Sequence, residues 1–154
     1  VYSFGLVLAA SPSDKLLAIR PDCQGDVTKT HVAWTTEDNV PDVTSPAATT
    51  NLVFTLTTSG MLTCFNLADG KRLWEHDFEE ECHASPAIAG NHVYLLTQKG
   101  NAFVVAAAPE FRLISRGAMG DSFHASPAIV GDRAYFRGVS NVWCIASAPA
   151  SAAK

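Results

Sequence analysis

His83 and His124 are the residues that first raise the question of chemistry. Each stands two positions before a Ser-Pro pair, inside the near-duplicate phrases "CHASPAIAG" and "FHASPAIVG". Imidazoles brought together can ligate a divalent metal or carry a proton near neutral pH. The stretch "DFEEECH" sets Glu79, Glu80 and Glu81 beside His83, and Asp121 precedes His124. Such carboxylates could complete a cation site. Cys82 adjoins His83 and is the one thiol whose reactivity a neighbouring imidazole could raise. The ligand-binding candidates are therefore His83, His124, Cys82, Glu81 and Asp121, with His83 and His124 as the metal ligands. Each also has a plainer reading. A histidine that recurs with its phrase belongs to the repeat and hydrogen-bonds a neighbouring segment, and an acidic turn is ordinarily solvated. Asp121 finds no close counterpart in the glutamate loop, which favours the plainer reading.

The elements that must position these residues follow from a period of about forty. Ser-Pro-Ala occurs at Ser45, Ser85 and Ser126, at intervals of 40 and 41 residues. Five residues after each serine comes a turn, at Thr50-Asn51, Gly90-Asn91 and Gly131-Asp132. Gly-Asn or Gly-Asp between apolar runs is a hairpin signal. A second turn follows at Gly60 and Gly100, and the third copy carries Ser140-Asn141, one residue adrift. Trp34 and Trp74 are again 40 apart, and the next step lands on Ile114.

The segments between turns, such as "NLVFTLT", "HVYLLTQ", "AFVVAAA" and "NVWCIA", are short and rich in β-branched and aromatic residues, so they read as strands. Four antiparallel strands every forty residues or so is the arithmetic of a β-propeller blade. Leucine-rich repeats are too short, helical repeats need a periodicity this chain lacks, and a β-sandwich gives no reason for the Ser-Pro register. The expected fold is all-β, a propeller of four-stranded antiparallel blades.

The segment "SPAATTNLVFTLTTSGMLTCFNLADGKRLWEHDF", Ser45 to Phe78, resembles the repeat of the pyrroloquinoline-quinone-type β-propellers. In that family Ser-Pro opens a blade, an Asp-Gly turn (here Asp69-Gly70) ends the third strand, and "GKRLW" starts the outer one. The likeness is weak over Val1 to Asp38 and clear from Val43 to Ala146. It is specific for fold and weak for function.

The strand count leaves the ring open. The first repeat reads as three strands, "YSFGLVLA", "LLAIR" and "HVAWT", with the inner one missing, and the last repeat reads as three with no outer strand. The expectation is about three and a half to four blades in repeats of about 1–41, 42–81, 82–122 and 123–147, then a disordered tail at 148–154. Propellers usually close at about four to eight blades. The chain is therefore expected to be completed by a second copy, as a homodimer, or by the missing blades of a longer chain. A closed four-bladed monomer stays open as the minimum form.

Trp34 and Trp74 are expected to pack blade on blade, with stacking on a sugar or quinone as the lesser reading. Cys64 and Cys144 fall in third strands of different blades, where a disulfide is improbable. Cys23 is placed in the loop "PDCQGDVTK", whose "GDVTK" is no phosphate-binding loop. Four cysteines without C-x-x-C spacing do not fix the compartment.

Composition excludes some classes. A net charge of −4 with scattered Lys and Arg offers no stripe for nucleic acid. No apolar run approaches the roughly 18 residues a membrane span needs. The apolar start "VYSFGLVLAAS" reads as a strand before it reads as the end of a signal peptide, because it lacks a cationic region.

Members of the resembled family that use the quinone are dehydrogenases, and the resemblance implies for them adjacent cysteines, a catalytic Asp and Ca²⁺ ligands on a complete ring. No Cys-Cys pair occurs here, so a quinone is not expected. The resemblance instead points to the quinone-free members: a non-catalytic binding or scaffold propeller, periplasmic or extracellular, holding a protein or saccharide, with no cofactor. The alternatives are a metal-dependent hydrolase built near the propeller axis around His83 and His124, and a remnant of a quinone-dependent dehydrogenase. No catalytic signature such as G-x-S-x-G or H-E-x-x-H supports the hydrolase.

Overall fold

The computed structural model describes residues 1–22 and 24–146, so the expectations for Cys23 and for the tail at 148–154 lie outside the described residues. The described chain contains strands and turns and no helix, in four antiparallel sheets. Blade 1 is β1 (Tyr2–Ser3), β2 (Leu6–Ser11), β3 (Lys15–Ile19) and β4 (Val32–Thr36). Blade 2 is β5 (Ala47–Ala48), β6 (Leu52–Leu56), β7 (Met61–Asn66) and β8 (Arg72–Asp77). Blade 3 is β9 (Ala87–Ala89), β10 (His92–Leu96), β11 (Asn101–Ala106) and β12 (Leu113–Ala118). Blade 4 is β13 (Ala128–Val130), β14 (Arg133–Arg137) and β15 (Val142–Ala146). Strands within each blade pair in chain order, the meander expected of a propeller blade.

The first blade departs from the sequence reading. "YSFGLVLA" is two strands and not one: the chain reverses at Phe4 and Gly5, whose φ values are 41° and 81°, and Tyr2 pairs with Val7. Two successive positive φ values make the tight turn that suits a two-residue hairpin. Blade 1 is therefore complete, and only blade 4 has three described strands.

Alternation along the strands sends one face of each blade to the blade before it and the other to the blade after it. Leu8, Leu16 and Ala18 of blade 1 pack with Val53 and Phe65 of blade 2. On the other side of blade 2, Phe54, Leu56, Leu62 and Cys64 meet Val93, Leu95, Phe103 and Val105 of blade 3. These side chains are buried, and burying each of the valines, leucines and phenylalanines stabilises by roughly 1.5–3 kcal/mol. Between blades 3 and 4 the buried cluster is smaller, built on Ala84, Leu96, Phe123 and Phe136.

Tryptophan joins consecutive blades as expected. The Trp34 indole N–H donates to the Leu67 carbonyl at 2.8 Å, and the Trp74 indole N–H donates to the Ala108 carbonyl at 2.9 Å. Gly70 lies flat against the Trp34 ring at a φ of 71°, where any Cβ would strike the indole. The continuation of the tryptophan series to Ile114 does not hold. Trp34 pairs with Ala18, Trp74 with Cys64, and the matching residue opposite Val104 is Ser115. The interval there is 41, one longer than the step from Trp34 to Trp74.

Candidate functional site

The chain passes from each outer strand to the next inner strand through a loop ending in the Ser-Pro pair. Contacts between β5 and β9 and between β9 and β13 put these loops side by side where the blades converge. The serines make a ladder across blades: the Ser45 N–H donates to Ser85 Oγ at 2.9 Å, and the Ser85 N–H donates to Ser126 Oγ at 3.1 Å. The hydroxyls of Ser85 and Ser126, each before a proline, therefore satisfy a backbone donor of the preceding blade. That is a physical reason for the Ser-Pro register.

Two positions before each serine the ladder carries Val43, His83 and His124. The two imidazoles do come together, with ring centroids 5.6 Å apart and planes at 64°. His83 is half-buried and its Nε2 lies 3.1 Å from Glu81 Oε1, while His124 and Glu81 are exposed. A carboxylate against one ring nitrogen orients an imidazole and leaves the other nitrogen for a ligand. Among the described residues no group of three or more His, Cys, Asp or Glu side chains is placed to hold a metal ion.

Cys82 is not placed as a reactive thiol. It is 1% exposed, and its Sγ points to the Glu80 carbonyl at 3.4 Å. Burial first, and then the charges of Glu80 and Glu81, push its thiol up to about 12, so it stays protonated at neutral pH. Its neighbour His83 faces Glu81 instead.

Asp121 has a counterpart after all. Glu80 and Asp121 both stand five residues before a Ser-Pro serine, and both reach into the next blade to cap its turn between second and third strands. Asp121 Oδ2 accepts from the backbone N–H of Ser140 and Asn141 at 3.1 and 2.8 Å. Glu80 accepts from Thr97 Oγ1 at 2.7 Å, from Asn101 Nδ2 at 2.8 Å and from Arg116 at 2.9 Å. Asp42 does the same work for blade 2 by accepting from the backbone and hydroxyl of Thr58. Burial pushes the Asp121 and Asp42 carboxyls up, but the hydrogen bonds from Ser140 and Asn141, and from Thr58, hold both below the ordinary value. Gly60 and Gly100 have positive φ and lie against the backbone of Glu80 and Asp121, closing these clasps.

Glu80 went unrecognised in the sequence because it is the middle of three glutamates. Its register relative to Ser85, matching Asp121 to Ser126, was the available signal. The donor set does not fit a quinone and its calcium. The four cysteines are never adjacent in sequence, Cys64, Cys82 and Cys144 are free in separate elements, and of the carboxylates near the loop Glu80 and Asp121 are engaged in clasps while Glu81 faces His83.

Serine-laddered four-stranded blades arranged side by side define a β-propeller of repeated blades. Residues 29–138 match the family model described as outer membrane protein assembly factor BamB, and the chain belongs to that family of PQQ-like repeat propellers. No curated protein matches it in sequence. Among solved structures, BamB from Moraxella catarrhalis is similar with a TM-score of 0.76 at 14% identity, over 92% of this chain and 43% of that one. The computationally designed Ika4 protein aligns with a TM-score of 0.70 at 12% identity, over 94% of this chain and 87% of that one. The quinohemoprotein alcohol dehydrogenase ADHIIG from Pseudomonas putida HK5 aligns with a TM-score of 0.69 at 12% identity, over 86% and 26% of the respective chains. These likenesses establish the fold, and this chain spans less than half of the BamB structure.

Proposed function

We propose that the chain is a non-catalytic binding or scaffold propeller that completes its ring with a second copy of itself. The observation that carries the reading is that the terminal blades keep apolar side chains uncovered. Val130 and Val142 of blade 4 are 67% and 73% exposed, and Tyr2 and Phe4 at the start of blade 1 are 66% and 67% exposed. Interior blades bury such faces against a neighbour, and a stack of blades gains by covering the faces at its ends. Blade 4 of one copy against blade 1 of the other, repeated by a two-fold axis, covers both ends with two equal interfaces. Supporting this reading, the Moraxella protein is about twice as long as the aligned chain.

The binding surface in this reading is the loop face that carries Val43, His83 and His124, with a protein or saccharide as ligand. The family description, an outer membrane assembly factor, supports a periplasmic or extracellular setting. No cofactor is required by the reading. A native mass at micromolar concentration tests it: a dimer supports ring completion by a second copy, and a monomer overturns it.

The proximity of His83, His124 and Glu81 favours one second reading, a metal-dependent hydrolase whose site is doubled across the dimer. Metal analysis of the purified protein, with activity assayed before and after chelation, separates the two. A metal-free protein with no chelator-sensitive hydrolysis removes the hydrolase.

A further inference from the structure

We infer that the cleft between blades 3 and 4 is a binding site for a flat, uncharged ligand of one or two aromatic rings. The argument starts from the preceding interface. There, β8 sends Trp74 and His76 toward blade 3, followed by Phe78, and Phe111 closes over them. Phe111 lies 5.3 Å from Trp74 and stacks on His76 at 4.0 Å, while Phe78 meets Phe103 at 4.5 Å between ring centroids.

The ladder identifies the residues that replace this stack one blade later. Cys64 pairs with Trp74 as Val104 pairs with Ser115, and Leu62 pairs with His76 as Ala102 pairs with Gly117. The Phe78 N–H donates to the Gly60 carbonyl as the Met119 N–H donates to the Gly100 carbonyl. Trp, His and Phe have thus become Ser115, Gly117 and Met119. On the strand beside them Leu62 has become Ala102.

The space these exchanges leave is a cleft of about 580 Å³, walled by Tyr94, Ala102, Val104 and Met119 on one side and by Ala134 and Phe136 on the other. A Cβ added at Gly117 would meet nothing within 4 Å. Its volume falls in the range of small-molecule sites, roughly 300–1,000 Å³, and its walls are apolar with a few polar groups at hand, as such sites are. Ser115, Tyr94 and Arg133 supply those groups. A ring system carrying a hydroxyl or carbonyl at its edge matches them, taking the place that indole and imidazole hold between blades 2 and 3. All the side chains that line the cleft belong to one chain.

The test is a titration of the full chain with indole and with 2-naphthol, followed by amide NMR shifts. The expected result is saturable shifts centred on Ser115, Gly117, Met119 and Ala134. The double variant S115W/G117H, which rebuilds the blade 2 pair, should weaken binding at least tenfold and raise Tm. Should that variant fail to fold, Gly117→Leu alone fills the same space and should give the same loss. Absence of saturable shifts with either probe overturns the inference, as does binding that the filled variants leave intact. Shifts confined to the outer edge of β15, without Gly117, would assign the cleft to an added β-strand and also overturn it.

Discussion

Of the three consecutive glutamates Glu80 alone is buried, and burial decides what it does. Glu80 is 6% exposed and satisfies Thr97, Asn101 and Arg116 in the next blade, whereas Glu81 is exposed beside His83. Replacing Glu80 with Ala strands buried hydrogen-bond partners and should cost about 2–3 kcal/mol in urea unfolding. Glu81→Ala should stay within about 0.5 kcal/mol, since exposed pairs contribute little. The clasp carboxylates also set the acid limit of the fold. Asp42 and Asp121 titrate lower folded than unfolded, so their contribution is fully present above the unfolded value of about 3.9 and is lost as pH falls through the folded values. Thermal melts should therefore weaken as pH drops below about 4, and Asp42→Asn with Asp121→Asn should flatten that decline. Burial also raises Cys64 to about 12, as it does Cys82. Both thiols should resist alkylation in the native protein and label only on unfolding.

At the scale of elements, the blades are joined by a few repeated devices whose loss should be felt in proportion to what they bury. Trp74 lies between Phe54 and Phe111 and hydrogen-bonds Ala108, so Trp74→Ala should cost about 3–5 kcal/mol. Ser85→Ala removes one rung of the serine ladder and should cost about 1 kcal/mol. Both are read from denaturant midpoints. The blades and their Gly-Asn and Gly-Asp turns were legible in the sequence because Gly90 and Gly131 supply the positive φ that a tight hairpin requires. The first hairpin was not, because Phe4 adopts a positive φ that its residue type does not advertise. The tryptophan register slipped to Ile114 because the turn into the outer strand is one residue longer in blade 3, between Ala106 and Leu113, than in blade 2, between Asn66 and Arg72, while the bulge after Cys64 recurs after Val104. Of the candidate site, the meeting of His83 and His124 was legible from the period alone. The burial of Cys82 and the clasp made by Glu80 depend on contacts with the next blade, which local sequence does not encode.

At the scale of the molecule, three complete blades and a fourth with three described strands leave exposed apolar residues at both ends. A propeller segment in this state is stabilised by whatever covers those faces, a role we propose for a second copy. The loop face with His83 and His124 would then appear twice around one axis, giving a ligand a wider platform than a single chain offers. The most direct measurement is the native mass by light scattering at micromolar concentration. The account predicts a dimer of the 16.4 kDa chain. A monomer that remains folded at that concentration would contradict it.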